Sequence, residues 1–185
     1  GEFGKQGDVI GYVLEANRVE TEGYRQHSSA RRSVLNAKLT HRDGAGGRWS
    51  LIANHLDSPL AEDPLGLNRS QLEQDPRGVD PAALSFNTRK SVSQSQLGLL
   101  YERPLASGQL RLMVYGGQRS TVQFQSIPVA TQANVLHPGG VIDLARSYAG
   151  SELRWTQRSR LLEAPLTLVY GLSLDGLREH RRGYQ

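Results

Sequence analysis

Cysteine is missing altogether from the 185 residues, and with it disulfides, thiolate metal sites and thiol nucleophiles. That fits an oxidising periplasm or outer membrane without singling it out, because many cytosolic proteins also lack cysteine. Long apolar runs are missing too. No window approaches the roughly 18 uninterrupted apolar residues of a membrane-crossing helix, and the mean hydropathy is −0.49. A membrane barrel escapes that argument, since its lumen side and loops are polar. Charge runs of one sign are scarce. The 22 basic and 18 acidic residues leave a net charge of +4, but they are interleaved, and the one dense basic cluster, Arg178-Glu179-His180-Arg181-Arg182, contains an acid. A nucleic-acid binder concentrates its basic residues, so no nucleic-acid partner is expected. Enzyme signatures are absent as well: there is no P-loop, no H-E-x-x-H and no G-x-S-x-G. The histidines, at 27, 41, 55, 137 and 180, lack ligand spacing. Neither catalysis nor a resident metal or cofactor is expected.

What the chain has instead is period-two alternation. Leu166, Leu168, Tyr170, Leu172 and Leu174 share one face of an extended chain, and Thr167, Val169, Gly171 and Ser173 share the other. The pattern recurs with Leu97, Leu99 and Tyr101 against Gln96, Gly98, Leu100 and Glu102, and with Leu110, Leu112, Val114 and Gly116 against Arg111, Met113, Tyr115 and Gly117. It recurs again with Leu35, Ala37 and Leu39 against Asn36, Lys38 and Thr40. Seven strands are expected, at 8–21, 33–42, 48–57, 89–103, 109–122, 141–157 and 165–178. Several exceed the five or six residues usual in globular sheets and reach the nine to eleven that cross a bilayer.

The connections alternate in length. Short ones at 43–47, 104–108 and 158–164 are separated by long ones at 22–32, 58–88 and 123–140. Short turns at one end and long loops at the other are how outer-membrane barrels are arranged. Trp49, Tyr101 and Trp155 sit near the short turns on the apolar face, where an amphipathic ring suits a membrane interface. Within 58–88, Asn68 with Gln71 three residues on, and Pro76 as a stop, predicts one short helix. The chain begins at Gly1 and ends at Gln185 inside its alternating pattern, so it reads as an excerpt in which missing targeting signals carry no weight.

Some wording is more specific than pattern. Glu20–Arg32 followed by Asn36-Ala37-Lys38-Leu39, Asp63-Pro64-Leu65-Gly66-Leu67, Asp80–Leu84, Phe86–Gln94 and Glu179–Tyr184 resemble TonB-dependent outer-membrane receptors, in their ferric-siderophore and ferric-citrate-like branch. Glu179–Tyr184 looks like a strand-to-loop junction of that family. The resemblance implies an all-β fold: an antiparallel meander forming part of a large, 22-stranded type of transmembrane barrel. Residues 1–185 would be a partial barrel domain, with the plug domain and C-terminal strands absent. It also implies an outer-membrane location, import of a metal chelate, and contact with TonB through an N-terminal region outside these residues. Outer-membrane lipid and lipopolysaccharide would be the surroundings.

For an anionic, oxygen-rich chelate the natural contacts are arginine forks and loop cations. His27, Arg31, Arg32, Arg89, Lys90 and His137 lie in or beside the long connections, and Arg119 and Arg146 lie near the same end, within reach of the lumen. The alternatives are a soluble all-β binding or adhesion module, a barrel for copper, haem or cobalamin, or a porin.

Overall fold

Alternating sequence becomes one antiparallel sheet in which every strand pairs with its neighbours in the chain. The computed structural model describes residues 1–184. It contains β1 (Glu2–Gln6), β2 (Ile10–Thr21), β3 (Ala30–Arg42), β4 (Arg48–Glu62), β5 (Arg89–Leu105), β6 (Gly108–Phe124), β7 (Val141–Leu161) and β8 (Ala164–Tyr184), in the spatial order β1 to β8. Three short helices interrupt the long connections: α1 (Arg69–Gln74), α2 (Pro81–Phe86) and α3 (Val129–Gln132). The expected meander is present, with one strand more than the seven read from the sequence. The addition is β1, whose five residues contain one large apolar side chain, Phe3, too little for alternation to register. β8 also runs on through Glu179–Tyr184, where a junction was expected.

The register sorts the side chains cleanly. Paired residues point to the same face, so Leu35, Leu97, Leu99, Leu112, Leu153, Leu166, Leu168 and Leu172 share one face with Trp49, Tyr101 and Trp155. Asn36, Lys38, Arg111, Glu152 and Arg154 share the opposite one. That second face is the inner, concave side. Between 92 and 102 on β5 and between 111 and 123 on β6 its residues are half-buried or buried, while most of those on the first are exposed. Its side chains also reach across a whole strand: Tyr148 on β7 bonds Gln96 on β5 at 2.9 Å, and Tyr115 on β6 bonds Asp175 on β8. Both tyrosines pass over a glycine. A Cβ at Gly117 would lie 2.6 Å from the Tyr148 ring, and one at Gly150 would lie 2.6 Å from the Tyr115 ring.

Among the described residues Ala83 is the only buried hydrophobic residue, and it lies in α2 rather than under the sheet. The apolar surface is instead the outer, convex face. Leu97 is 54% exposed, Val114 52% and Leu172 63%, which no soluble core would leave so.

The apolar band slants across the hydrogen-bonded rungs. On β3 it is Leu35, Ala37 and Leu39, centred on Ala37, whose rung continues through Ala53, Leu97, Gly116 and Ala149 to Gly176. On β8 the band is Leu166 to Leu174, centred on Tyr170, six residues below Gly176. Six residues at about 3.4 Å, across five strand spacings of about 4.8 Å, make a slope of about 40°. The short turns step down in the same sense, from the Gln6–Gly11 rung to the Leu161–Ala164 rung. A level belt on strands tilted about 35–45° produces that drift.

Candidate ligand-binding surface

The inner face is built in levels. At mid-height Asn36 donates to Glu15 at 3.1 Å and Asn54 donates to Asn36 at 2.8 Å. On the same rung Tyr148 donates to Gln96, and Gln94 lies 3.4 Å from the Tyr148 hydroxyl. Above this amide ladder, toward the long connections, the inner-facing strand residues include five cations, Arg32, Lys90, Arg119, Arg146 and Arg181, against a single carboxylate, Glu179, among the described residues.

Arg119 and Arg146 are direct cross-strand partners. Like charges so placed repel unless something negative joins them. Glu179 does so for Arg146, accepting from Nε at 2.9 Å and pairing with the guanidinium. Among the described residues Arg119 has only the neutral Gln94 amide oxygen, at 3.2 Å. The pair therefore presents an under-compensated, two-pronged donor surface, edged by the Tyr148 hydroxyl and the side chains of Gln94 and Gln96.

The remaining sequence-selected residues divide. Arg32 and Lys90 belong to the inner wall. Arg31 and Arg89 are on the outer face: Arg31 lies 3.5 Å from Glu20, and the Arg89 guanidinium stacks 3.6 Å over the Phe124 ring. His27 lies in the loop 22–29, its side chain 9% exposed, with Nε2 2.8 Å from the Thr88 carbonyl and Nδ1 3.4 Å from Glu62. His137 accepts from the Gly139 N–H at 3.0 Å within the loop 125–140. Both histidines hold loop backbone in place.

Arg25 joins the long loops with no local pattern in the sequence to announce it. Its guanidinium donates to the carbonyls of Gly78 at 2.7 Å, Leu65 at 2.7 Å and Pro64 at 3.2 Å, and Arg77 donates to Tyr24 at 3.1 Å. The loops 22–29 and 63–88 are thereby locked together. Within the second, the expected helix is α1, with a capping box between Asn68 and Gln71. The side chain of Gln71 also bonds Asp80, the N-cap of α2. That bond first, and the Ala82 N–H second, hold the Asp80 carboxyl below its ordinary pKa. Arg181 is a further inner-wall cation, opposite Leu144. Its signal was period two inside the basic cluster, which puts Glu179 and Arg181 on one face and Arg178, His180 and Arg182 on the other.

No family model matches the sequence. Among solved structures the fold is similar to that of the ferric citrate transporter FecA in its unliganded form, with a TM-score of 0.72 and 18% sequence identity. The match covers 97% of this chain and 26% of that one, so the chain spans about a quarter of that transporter's length.

Proposed function

We propose that the chain is part of the barrel wall of a TonB-dependent outer-membrane receptor, and that its inner face helps to capture an anionic metal chelate of the ferric citrate or ferric siderophore kind. The observation that carries this reading is the imbalance of charge on the upper inner wall, five cations against Glu179. The tilted apolar belt and the fold shared with a ferric citrate transporter support it. No bond is made or broken. Carboxylate or hydroxamate oxygens of the cargo bridge Arg119 and Arg146, relieve their repulsion and accept charge-assisted hydrogen bonds. Arg32, Lys90 and Arg181 raise the local anion concentration from further out. Release inward would draw on TonB through residues other than these.

The test uses the full-length receptor in lipid vesicles. Arg119→Gln with Arg146→Gln is expected to weaken capture of ferric citrate or an anionic ferric siderophore by about tenfold or more at low ionic strength, since each charged hydrogen bond is worth about 1.5–3 kcal/mol. The deficit should shrink with added salt, while insertion is unchanged. Arg31→Gln with Arg89→Gln, on the outer face, should leave capture near wild type. Unchanged capture of every anionic chelate in the first variant would refute the assignment.

A further inference from the structure

We propose that the loop 22–29 is a pH-sensitive latch above the inner wall, held shut when His27 is an imidazolium between the Glu62 carboxylate and the Thr88 carbonyl; its effect on capture rests on the chelate reading above. The ring is enclosed, its side chain 9% exposed, and both of its nitrogens face oxygen. Nε2 lies 2.8 Å from the Thr88 carbonyl and Nδ1 lies 3.4 Å from Oε1 of Glu62. Both oxygens are acceptors. A carbonyl has no proton, and the Glu62 carboxylate accepts the Ser29 N–H at 3.0 Å through Oε2. A neutral imidazole donates from one nitrogen and would turn the lone pair of the other against an oxygen. The imidazolium donates from both. His27 also stands at φ 58°, a left-handed backbone uncommon outside glycine, so the ring contacts hold a conformation that the loop can leave when they weaken.

The other charged groups of the neighbouring elements are engaged elsewhere. On the loop itself Arg25 donates to the carbonyls of Gly78, Leu65 and Pro64, and Glu22 lines an outer hollow with Arg31. Asp63, just after β4, accepts the Leu65 N–H at 2.9 Å. Asp80 is bound by Gln71 and the Ala82 N–H, and Arg89 stacks on Phe124. Glu62 is the ring's ion-pair partner among the described residues. Histidine exchanges its proton between about pH 5 and 8. Since both contacts favour the charged ring, the latch is made on the acid side of that range and given up as pH rises. It joins two strand starts that carry upper cations. Ser29 precedes β3, with Arg32 three residues on, and Thr88 precedes β5, with Lys90 two residues on. Closing the latch fixes both cations at the wall and adds a charge near them, so a proton and an anionic chelate each favour the other's binding to the same degree.

The experiment is hydrogen exchange of the full-length protein in vesicles, corrected for intrinsic rate, from about pH 5.5 to about pH 8. In wild type, protection of the amides in 25–30 and 86–90 should fall by about tenfold or more across that range, as expected for one charge-assisted hydrogen bond. Protection in the middle of β5 and β6 should stay level. His27→Gln and Glu62→Gln should each remove the fall. Ferric citrate at low ionic strength probes the coupling: the ratio of wild-type to His27→Gln affinity, in which the probe's own titration cancels, should rise by about fivefold or more on acidification. The proposal is overturned if wild-type protection is level with pH, if the fall survives in both variants, or if the affinity ratio stays level. Arg119→Gln with Arg146→Gln tests the chelate reading separately. If that double variant captures chelate like wild type, the chelate reading fails by itself and the exchange measurement still decides the latch.

Discussion

Arginine introduced singly along β8 should impair membrane insertion with a period of two residues. The outer apolar residues Leu166 to Leu174 span eight residue steps, about 27 Å along the strand and about 21 Å along the membrane normal at a 40° tilt. Tyr170 is then at mid-belt, with Leu168 and Leu172 each about 5 Å from it. Arginine at those three positions should cost about 2–4 kcal/mol, and the cost should fall toward about 0–1 kcal/mol near the belt edges, at Leu166 and Leu174. In the barrel proposed above, the inner-facing Thr167, Val169, Gly171 and Ser173 would meet an aqueous lumen and should tolerate it far better. In the full-length protein, the fraction inserted into vesicles across a urea series reads the difference directly. A penalty of 2–4 kcal/mol moves the equilibrium by about 30- to 700-fold. Equal effects at Thr167 and Leu168, or a penalty that does not peak near Tyr170, would refute the register, the belt or the membrane itself.

Three further outcomes are expected. Gly117→Ala should destabilise the barrel by about 1–3 kcal/mol, and more than Gly150→Ala, because its Cβ would meet the Ser95 carbonyl at 2.7 Å as well as the Tyr148 ring, whereas the nearest atoms at Gly150 are movable side-chain ends; chemical denaturation of both variants decides. The β7–β8 hairpin turns through Leu162 and Glu163 at φ of 47° and 68°, so Leu162→Asn with Glu163→Gly should stabilise it by about 1–2 kcal/mol, read as a higher denaturation midpoint. The depressed Asp80 carboxyl contributes fully above its unfolded pKa near 3.8 and loses that contribution as pH falls through the lower folded value. Hydrogen exchange of the α2 amides, corrected for intrinsic rate, should therefore accelerate on acidification in wild type and not in Asp80→Asn.

Period two was legible wherever one face of a strand is apolar, which is why β3, β5, β6 and the lower half of β8 emerged with both faces assigned. It failed where both faces are polar. The upper half of β8 stands above the belt, so Arg178–Arg182 read as one mixed cluster although the pleat divides it. The same blindness hid the division of Arg31 and Arg89 from Arg32 and Lys90, because neighbouring residues in a strand differ by face and not by composition. α1 was legible from its capping box. α2 was not, although Asp80 and Pro81 begin it, because six residues carry too little pattern. Arg25 left no local signal, since its three acceptors lie on a distant segment.

A sheet whose spatial order is its chain order needs no long-range search to assemble. Each strand closes onto the one before it, so the chain can be laid down hairpin by hairpin with a single growing edge, and that edge is always the site of the next addition. One long-range contact is the clasp of Arg25 with Gly78, 53 residues away, which must wait until β3, β4 and the intervening loop are in place. The clasp therefore closes after the β3–β4 hairpin that it spans, and can do so before β5 to β8 are added.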